Sequence, residues 1–295
     1  MDWLTEPFSY DFTQRALLAG VLTVVTTSLV GTWVVLRGLS FLGDALAHGV
    51  LPGIALAFLW GIDTTVGAAV SALVMVVGIS AVNRRARLPA DTGIGLLFVG
   101  MLALGVVIIS RAGSFATDLT AFLFGDVLGV TNADLVVQAG AALVVSITVA
   151  LLYRPFLVLS FNAQKAELLG LRPRLAHAAM LGLIALAVVS SFRAVGSLLV
   201  FGLLVAPPAT ALLLVRRIPL VMVTGVGLGV VAVSVGLLLS YHLDTAAGAT
   251  MAATAVGGFF AVLLGRTAVE LGASRYSATP TGAPSTSWSR YSDNP

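Results

Sequence analysis

Nine long apolar runs, separated by short polar segments, account for most of the chain. Each run is close to the roughly 20 residues that an α-helix needs to cross the hydrocarbon core of a bilayer. The pattern predicts an all-α transmembrane bundle of about nine spans, with roughly eight to ten as the range. The runs lie near residues 15–36, 42–60, 64–82, 93–110, 133–153, 175–192, 195–215, 219–240 and 247–265.

Composition excludes a soluble domain. Hydrophobic residues make up 58% of the 295 residues and charged residues only 10%, and the mean hydropathy is +1.04. Soluble proteins carry about 25% charged residues to cover their surface, so this chain is predicted to be a multi-pass protein that contacts membrane lipid. The net charge is +3, but the charged residues lie between apolar runs rather than clustering on a soluble face. Nucleic acid is therefore not an expected partner.

Two further kinds of chemistry are excluded by residue type. Because there is no cysteine, a metal site would have to use nitrogen and oxygen donors rather than thiolates. The single lysine, Lys165, follows Ala-Gln without a glycine run. The chain therefore has no phosphate-binding loop of the GxxxxGK type and is not expected to bind ATP through one.

Basic residues predict the orientation in a cell membrane, because cytoplasmic loops accumulate Lys and Arg. If the amino terminus is outside and the carboxyl terminus is cytoplasmic, thirteen of the sixteen basic residues are cytoplasmic. The exceptions are Arg15, Arg111 and Arg193. The first 14 residues carry acidic but no basic side chains, so the first apolar run is not expected to be a cleaved secretory signal.

The predicted organisation is an extracytoplasmic segment 1–14, a transmembrane domain 15–267 and a disordered cytoplasmic tail 268–295 rich in Ser, Thr, Pro and Gly. Residues 113–130 are apolar but contain two aspartates and three glycines. They predict either a short re-entrant helix or an interfacial loop.

The longest polar break between spans predicts a short amphipathic cytoplasmic helix near residues 160–172. Gly170 can end this helix and Pro173 cannot continue it. The helix is either an ordinary connection or a docking surface for a cytoplasmic partner.

Prolines indicate an inverted repeat. Spans 1–4 and 6–9 form two sets around span 5. The second member of each set is predicted to be broken by proline: span 2 by Pro52, and span 7 by Pro207 and Pro208. Broken helices at corresponding positions of two inverted halves are typical of a translocation site between the halves.

Asp44 and His48 are the clearest candidates for chemistry. Ionisable residues inside a span are costly and usually mark function, and residues four apart share one helix face. Pro52 lacks the N–H that would bond the His48 carbonyl, so a carboxylate, an imidazole and a carbonyl oxygen can converge on a cation. This donor set suits Mn²⁺, Zn²⁺ or Fe²⁺. The alternative is a structural Asp–His pair that satisfies itself.

Two other segments are candidates for a path or gate. In VGSLLVFGLLVAPPATA (residues 195–211), Pro207 and Pro208 indicate either a pore-lining element or plain helix packing. In SYHLDTAAGA (residues 240–249), Tyr241 and Asp244 could form an outer gate, or the turn is simply polar and exposed.

Several segments together resemble the zinc/manganese/iron permease family of ATP-binding-cassette importers. The resemblance covers about residues 13–266 and is most specific in GDALAHGVLPG. The other matching segments are RALLAG (15–20), WVVLRGLSFLGDALAHGVLPGIALAF (33–58), DLTAFLFGDVLGVTNADL (118–135), AELLGL (166–171) and the two segments above. One departure is Ala246, where similar proteins often have proline.

The resemblance implies a type II importer-like permease that is not itself an enzyme. It would work as a homodimer with two cytoplasmic ATP-binding subunits and an extracytoplasmic metal-binding protein. It implies that Asp44 and His48 contact the metal in transit. It also places the ATPase-coupling helix at 160–172, with Ala166, Glu167, Leu169 and Gly170.

The sequence thus predicts alternating-access import of Mn²⁺ or Zn²⁺, with Fe²⁺ as a further candidate and no permanently bound cofactor. The main alternative is a proton-coupled secondary transporter in which Asp44 and His48 form a proton relay. An intramembrane hydrolase using His48 is a third hypothesis, but Ser40 lies in GLSFLG rather than in a GxSxG motif.

Overall fold

The computed structural model describes residues 7–85, 90–110, 125–127, 129–161 and 171–277. Within these residues a 3₁₀ turn at Pro7–Ser9 precedes eleven α-helices. They are α1 (Asp11–Leu36), α2 (Ser40–Gly49), α3 (Leu51–Leu59), α4 (Thr64–Arg85), α5 (Ala90–Ile109), α6 (Asn132–Leu151), α7 (Tyr153–Phe161), α8 (Pro173–Val195), α9 (Ser197–Leu214), α10 (Ile218–Leu243) and α11 (Ala247–Ser277).

The helices confirm the predicted membrane bundle. Eight helical segments of the described chain are long and apolar enough to cross a membrane, with α2 and α3 together forming one of them. The apolar part of α9, Val200–Leu214, is shorter and corresponds to the remaining predicted run. If α9 is counted as a crossing and consecutive spans alternate in direction, α1, α4, α6, α9 and α11 begin at one end of the bundle, called here the amino-terminal end.

Three spans form the centre of the bundle. The apolar windows of α1, of α2–α3 and of α8 are 67%, 72% and 61% buried, whereas those of α4, α5, α6 and α11 are only 22–28% buried. The central position of α1 depends on small residues, because a Cβ on Gly20 or Gly31 would meet atoms of α10 or α9. The outer spans have apolar surfaces that face away from the core, as lipid contact requires.

The second span is interrupted, as the sequence predicts. Helix α2 ends at Gly49 and α3 begins at Leu51, with Pro52 in its first turn. The buried Ser71 of α4 donates a hydrogen bond to the Gly49 carbonyl at 2.8 Å. Gly53 and Gly67 also touch through their backbones, since a Cβ on either would overlap the carbonyl oxygen of the other.

The predicted break at Pro207 and Pro208 is wrong. Both prolines lie inside α9, which runs without interruption from Ser197 to Leu214. The carbonyls four residues earlier lose their helical N–H partners, but the helix remains continuous because packing holds it. The Leu204 carbonyl lies against Gly31 of α1, and the Pro208 ring packs beside it.

One boundary and one additional helix also differ from the prediction. Helix α11 continues to Ser277, beyond the predicted start of the disordered tail at 268, and an Arg266–Glu270 ion pair of 3.9 Å joins successive turns of its end. Helix α7 was not predicted. The rest of the tail, 278–295, lies outside the described residues.

The two unusual segments lie largely outside the described residues as well. Of 113–130, only 125–127, 129 and 130 are described, and they form a turn in which Asp126 Oδ1 accepts a hydrogen bond from Gly129 N–H at 2.9 Å. The predicted coupling residues Ala166, Glu167, Leu169 and Gly170 are not among the described residues, so that helix remains a prediction.

Candidate functional site

The structure brings Asp44 and His48 together on one face of α2. His48 Nε2 lies 3.6 Å from Asp44 Oδ1, and the side chains are 11% and 30% exposed respectively. Two nitrogen and oxygen ligands at about 2.1 Å from a tetrahedral metal ion lie about 3.4 Å apart. The pair is therefore spaced as two ligands of one ion would be, and is too long for a direct hydrogen bond.

His48 lies near the middle of a span, and Asp44 lies one turn nearer its start. His48 is the ninth residue of the Ser40–Leu59 segment, whose 20 residues rise about 30 Å. Its ring contacts the Phe98 ring of α5, with 5.5 Å between centroids, and Phe41 contacts the same phenylalanine. On another side, Gly43 packs against Leu204 and Phe201 of α9. Apolar surroundings of this kind strengthen the attraction between a carboxylate and a cation.

The His48 ring also has an unused nitrogen. Its Nδ1 is buried and has no hydrogen-bond partner among the described residues. A neutral imidazole has one donor and one acceptor nitrogen, so a metal ion bound by Nε2 would require Nδ1 to carry the proton. An Asp–His pair that only satisfied itself would leave this nitrogen equally unpaired, and the unpaired nitrogen therefore does not choose between the two hypotheses.

The described part of the chain supplies only two side-chain ligands here. It contains no group of three His, Cys, Asp or Glu residues that could hold a metal ion. The His48 carbonyl, predicted to be freed by Pro52, accepts a hydrogen bond from Val50 N–H and has thus found another donor. A resident metal site would need more ligands than this, whereas a transfer site can complete its shell with water or with a second chain.

Pro52 is buried beside α5. A Cβ on Gly105 would lie 2.9 Å from Leu51 Cβ and 3.1 Å from Pro52 N. Helix α5 therefore contacts the interruption at Gly105 and the His48 ring at Phe98, so it covers both features of the second span.

The contacts of Pro207 and Pro208 are with α1, α10 and α11. Pro207 lines an apolar cavity of about 160 Å³ between α9, α10 and α11, and Pro208 packs against Gly225 and Gly31. These contacts match the packing alternative. Helix α9 contacts α2 earlier in its length, where Phe201 and Leu204 pack against Gly43.

Tyr241 and Asp244 line a second cavity, of about 590 Å³, at the amino-terminal end. The start of α1 forms its other wall, through Phe12 and Thr13. The Tyr241 ring stacks on Tyr10 with 6.4 Å between centroids, and Asp244 ends α10 in a left-handed conformation with φ of 50°. The turn thus holds a cavity open at this end, and its role as a gate remains a prediction.

One polar contact was not anticipated from the sequence. Arg37, at the end of α1, lies 3.1 Å from His177 Nδ1 of α8 through Nη1, and 3.8 Å from the Met180 sulfur. Burial lowers the pKa of the Arg37 guanidinium from its usual value. The residues are 140 positions apart, and no local pattern in the sequence relates them.

Comparison with known proteins gives consistent matches. The sequence model of the ABC 3 transport family matches residues 9–266. The chain is 38% identical to the manganese transport system membrane protein MntC of Listeria monocytogenes, over 90% of this chain and 94% of that protein. It is 36% identical to the chelated iron transport system membrane protein YfeD of Yersinia pestis, over 83% and 82%.

A solved structure shares the architecture. PsaBC from Streptococcus pneumoniae in complex with Fab matches with a TM-score of 0.80 and 30% identity, over 88% of this chain and 94% of that chain. The sequence and the architecture therefore point to the same group of proteins.

Proposed function

The chain belongs to the ABC 3 transport family, whose members are membrane permease subunits rather than enzymes, and on that premise we propose that it imports a divalent transition metal. The observation that carries the proposal is the Asp44–His48 pair, with 3.6 Å between Nε2 and Oδ1. A carboxylate and an imidazole in mid-span can receive a dehydrated cation. Because they offer only two ligands, they can also release it.

Manganese is the first candidate substrate and iron the second. The relatives include manganese and chelated iron transport proteins, and Mn²⁺ and Fe²⁺ both accept one nitrogen and one oxygen ligand. Zn²⁺ binds the same donors and belongs in the test. In each case the metal is the cargo, not a resident cofactor.

The energy would come from cytoplasmic ATP-binding subunits, in two copies for a homodimeric permease. The predicted helix at 160–172 would couple them to the bundle. ATP binding would then favour one of two bundle arrangements and open the Asp44–His48 pair alternately to either side. An extracytoplasmic metal-binding protein would deliver the ion to the amino-terminal end, near Tyr241 and Asp244.

A second copy of the chain can complete the shell of the metal. Asp44 is 30% exposed on the isolated subunit, and Phe41, one turn earlier on the same face of α2, is 42% exposed. A carboxylate exposed within a span cannot face lipid at low cost. A second permease against this face would exclude lipid from Asp44.

The test measures accumulation of Mn, Fe and Zn in cells that express the permease with its ATPase partner. Asp44→Asn and His48→Gln keep side-chain size but remove a charge and an imidazole, so each should reduce uptake of the transported metal to background. Asp126→Asn is the matched control, since Asp126 accepts a backbone hydrogen bond in a loop turn. Normal uptake by both Asp44 and His48 variants would refute the site.

The same cells separate the proton-coupled alternative. If ATP hydrolysis drives transport, an ATPase partner unable to hydrolyse ATP should stop uptake while the proton gradient remains. If the Asp44–His48 pair is a proton relay, uptake should persist with that partner and stop when the gradient is collapsed. The family match favours the first result.

A further inference from the structure

A hydrogen bond joins the turn between α1 and α2 to the start of α8, at the end of the bundle opposite the amino-terminal end. Arg37 directly follows α1, and its Nη1 lies 3.1 Å from His177 Nδ1. An arginine side chain only donates hydrogen bonds, so Nδ1 is the acceptor. His177 is therefore neutral in this arrangement and carries its proton on Nε2.

The turn that contains Arg37 is short and has space around it. Only Arg37, Gly38 and Leu39 separate α1 from α2. Gly38 has a φ of 64°, in the left-handed region that glycine adopts at little cost, and none of the described atoms lies within 4 Å of a Cβ built on it. A turn of this kind can absorb a change of backbone direction, as hinge residues do.

Helix α2 lies between this turn and the interruption of the second span. It has ten residues, Ser40–Gly49, and α3 begins at Leu51. Asp44 and His48 are both in α2, so a shift of this short helix moves the carboxylate and the imidazole together. Because non-helical residues bound it on both sides, α2 can shift as one body without unwinding a longer helix.

The other partner of the hydrogen bond lies near the start of a central span. His177 is the fifth residue of α8, and the Arg37 guanidinium also lies 3.8 Å from the sulfur of Met180, one turn later. The residues predicted to couple the ATPase, 160–172, end directly before α8. A displacement of the start of α8 would therefore act on the α1–α2 turn through the Arg37 side chain.

The chemistry of the contact makes it sensitive to either partner. Arg37 is half-buried, and no carboxylate of the described residues forms an ion pair with it. A hydrogen bond from a charged donor is roughly twice as strong as one between neutral groups. The His177 imidazole is thus a directional partner for a partly desolvated cation, and loss of either side chain breaks the connection.

We propose that Arg37 and His177 are positioning residues for the Asp44–His48 pair. Their hydrogen bond makes α2 follow the start of α8, so that the nucleotide bound by the ATPase partner changes the affinity of the pair for the metal. This inference rests on the proposed import function and adds a physical connection between the two sites. Sites coupled in this way typically change each other's affinity about 5–150-fold.

The test is a Mn²⁺ titration of the full-length permease with its ATPase partner in lipid nanodiscs, followed by the electron paramagnetic resonance signal of free Mn²⁺. It is done with and without a non-hydrolysable ATP analogue, and the quantity measured is the ratio of the two dissociation constants. The unaltered protein should give a ratio of about five or more. Arg37→Met and His177→Leu each remove one partner and should bring the ratio close to one.

Two further variants separate this role from a structural one. His177→Asn keeps an acceptor oxygen close to the position of Nδ1 and should retain most of the ratio. Arg174→Met removes an exposed guanidinium three residues earlier in α8 and should leave the ratio unchanged. A contact that only stabilised the fold would lower thermal stability and weaken both dissociation constants equally, and the ratio would not move.

The double variant Arg37→Met, His177→Leu should give the same ratio as either single variant, because the two residues act through each other. If Arg37→Met does not assemble with the ATPase, the comparison of His177→Leu with His177→Asn carries the test, since both change the same side chain and only one removes the acceptor.

Three results would overturn the inference and leave the metal site in place: a ratio of one in an unaltered protein that binds Mn²⁺, an unchanged ratio in His177→Leu, or an equal fall in Arg174→Met. Absence of Mn²⁺ binding by the unaltered protein is a different failure. It would remove the Asp44–His48 site of the proposed function, and this inference with it.

Discussion

At the scale of single residues, Gly31 shows how little space separates α1 from α9. A Cβ at this position would overlap the carbonyl oxygen of Leu204 and lie 3.1 Å from the Pro208 ring. A backbone carbonyl cannot rotate away as a long side chain can. Gly31→Ala should therefore destabilise the protein by about 1–3 kcal/mol, the usual cost of overpacking, measured by thermal unfolding in detergent or nanodiscs.

Gly140→Ala is the matched control for that substitution. Gly140 also lies within a spanning helix, but none of the described atoms is within 4 Å of its hypothetical Cβ. Since alanine is favoured over glycine in helices by about 1 kcal/mol, this variant should be neutral or slightly more stable. Equal destabilisation by both variants would mean that the close contact between α1 and α9 is not the cause of the stability loss in Gly31→Ala.

The two residues of the mid-span pair could be predicted from the sequence, whereas Gln138 could not. Asp44 and His48 are one turn apart in an apolar run, and helix periodicity alone places them on one face. Gln138 lies one turn after Asp134 in its run and lines a cavity of about 210 Å³ at the amino-terminal end. The other walls of this cavity come from Asp63 and Thr65 at one side and Val189 and Ser190 at the other, each more than 50 positions away. The Arg37–His177 contact escaped prediction for the same reason.

At the scale of helices, the interruption between α2 and α3 depends on its neighbour α4. Ser71 donates to the Gly49 carbonyl at 2.8 Å, directly after His48. Ser71→Ala would leave that carbonyl without this donor, which should cost about 1 kcal/mol and lower metal uptake several-fold by loosening the turn that positions His48. Thermal unfolding and metal accumulation measure the two effects.

Ser80→Ala provides the comparison within the same helix. Ser80 donates at 2.8 Å to Val76, in its own helix, and therefore connects nothing to α2 or α3. It should leave uptake unchanged. If the Ser71 and Ser80 variants transported equally well, the hydrogen bond to Gly49 would have no part in positioning the pair.

The two proline sites show when a helix interruption can be predicted from the sequence. Pro52 coincides with an interruption and Pro207–Pro208 does not. Proline removes a hydrogen bond in either case, but the outcome depends on what covers the freed carbonyls. At α9 the glycine of another helix admits the Leu204 carbonyl, and that contact joins residues about 170 positions apart, which no local pattern reveals.

At the scale of the whole molecule, the all-helical membrane fold follows from the apolar pattern, because lipid requires backbone groups to be bonded within each span. The cavities at the amino-terminal end do not follow from it, since each is assembled from ends of helices distant in sequence. Counting the shorter α9 with the eight longer segments gives nine crossings, and nine crossings would place Asp11 and Leu271 at opposite ends. Phe12 and Thr13 line one of the polar cavities, at the Asp11 end.

The direction of the bundle in the membrane is the last prediction. The basic-residue distribution predicts that the amino-terminal end is outside the cell, so the cavities near Asp134 and Asp244 should face the side from which the metal comes.

The chain has no cysteine, and a single introduced cysteine can therefore report on which side of the membrane a residue lies. In intact cells, Ala246→Cys should react with a membrane-impermeant maleimide, whereas Arg217→Cys should react only after permeabilisation. Both positions are exposed in loops at opposite ends, so poor accessibility would not explain a difference. The reverse labelling pattern would place the cavities on the cytoplasmic side and would contradict the orientation that the basic residues predict.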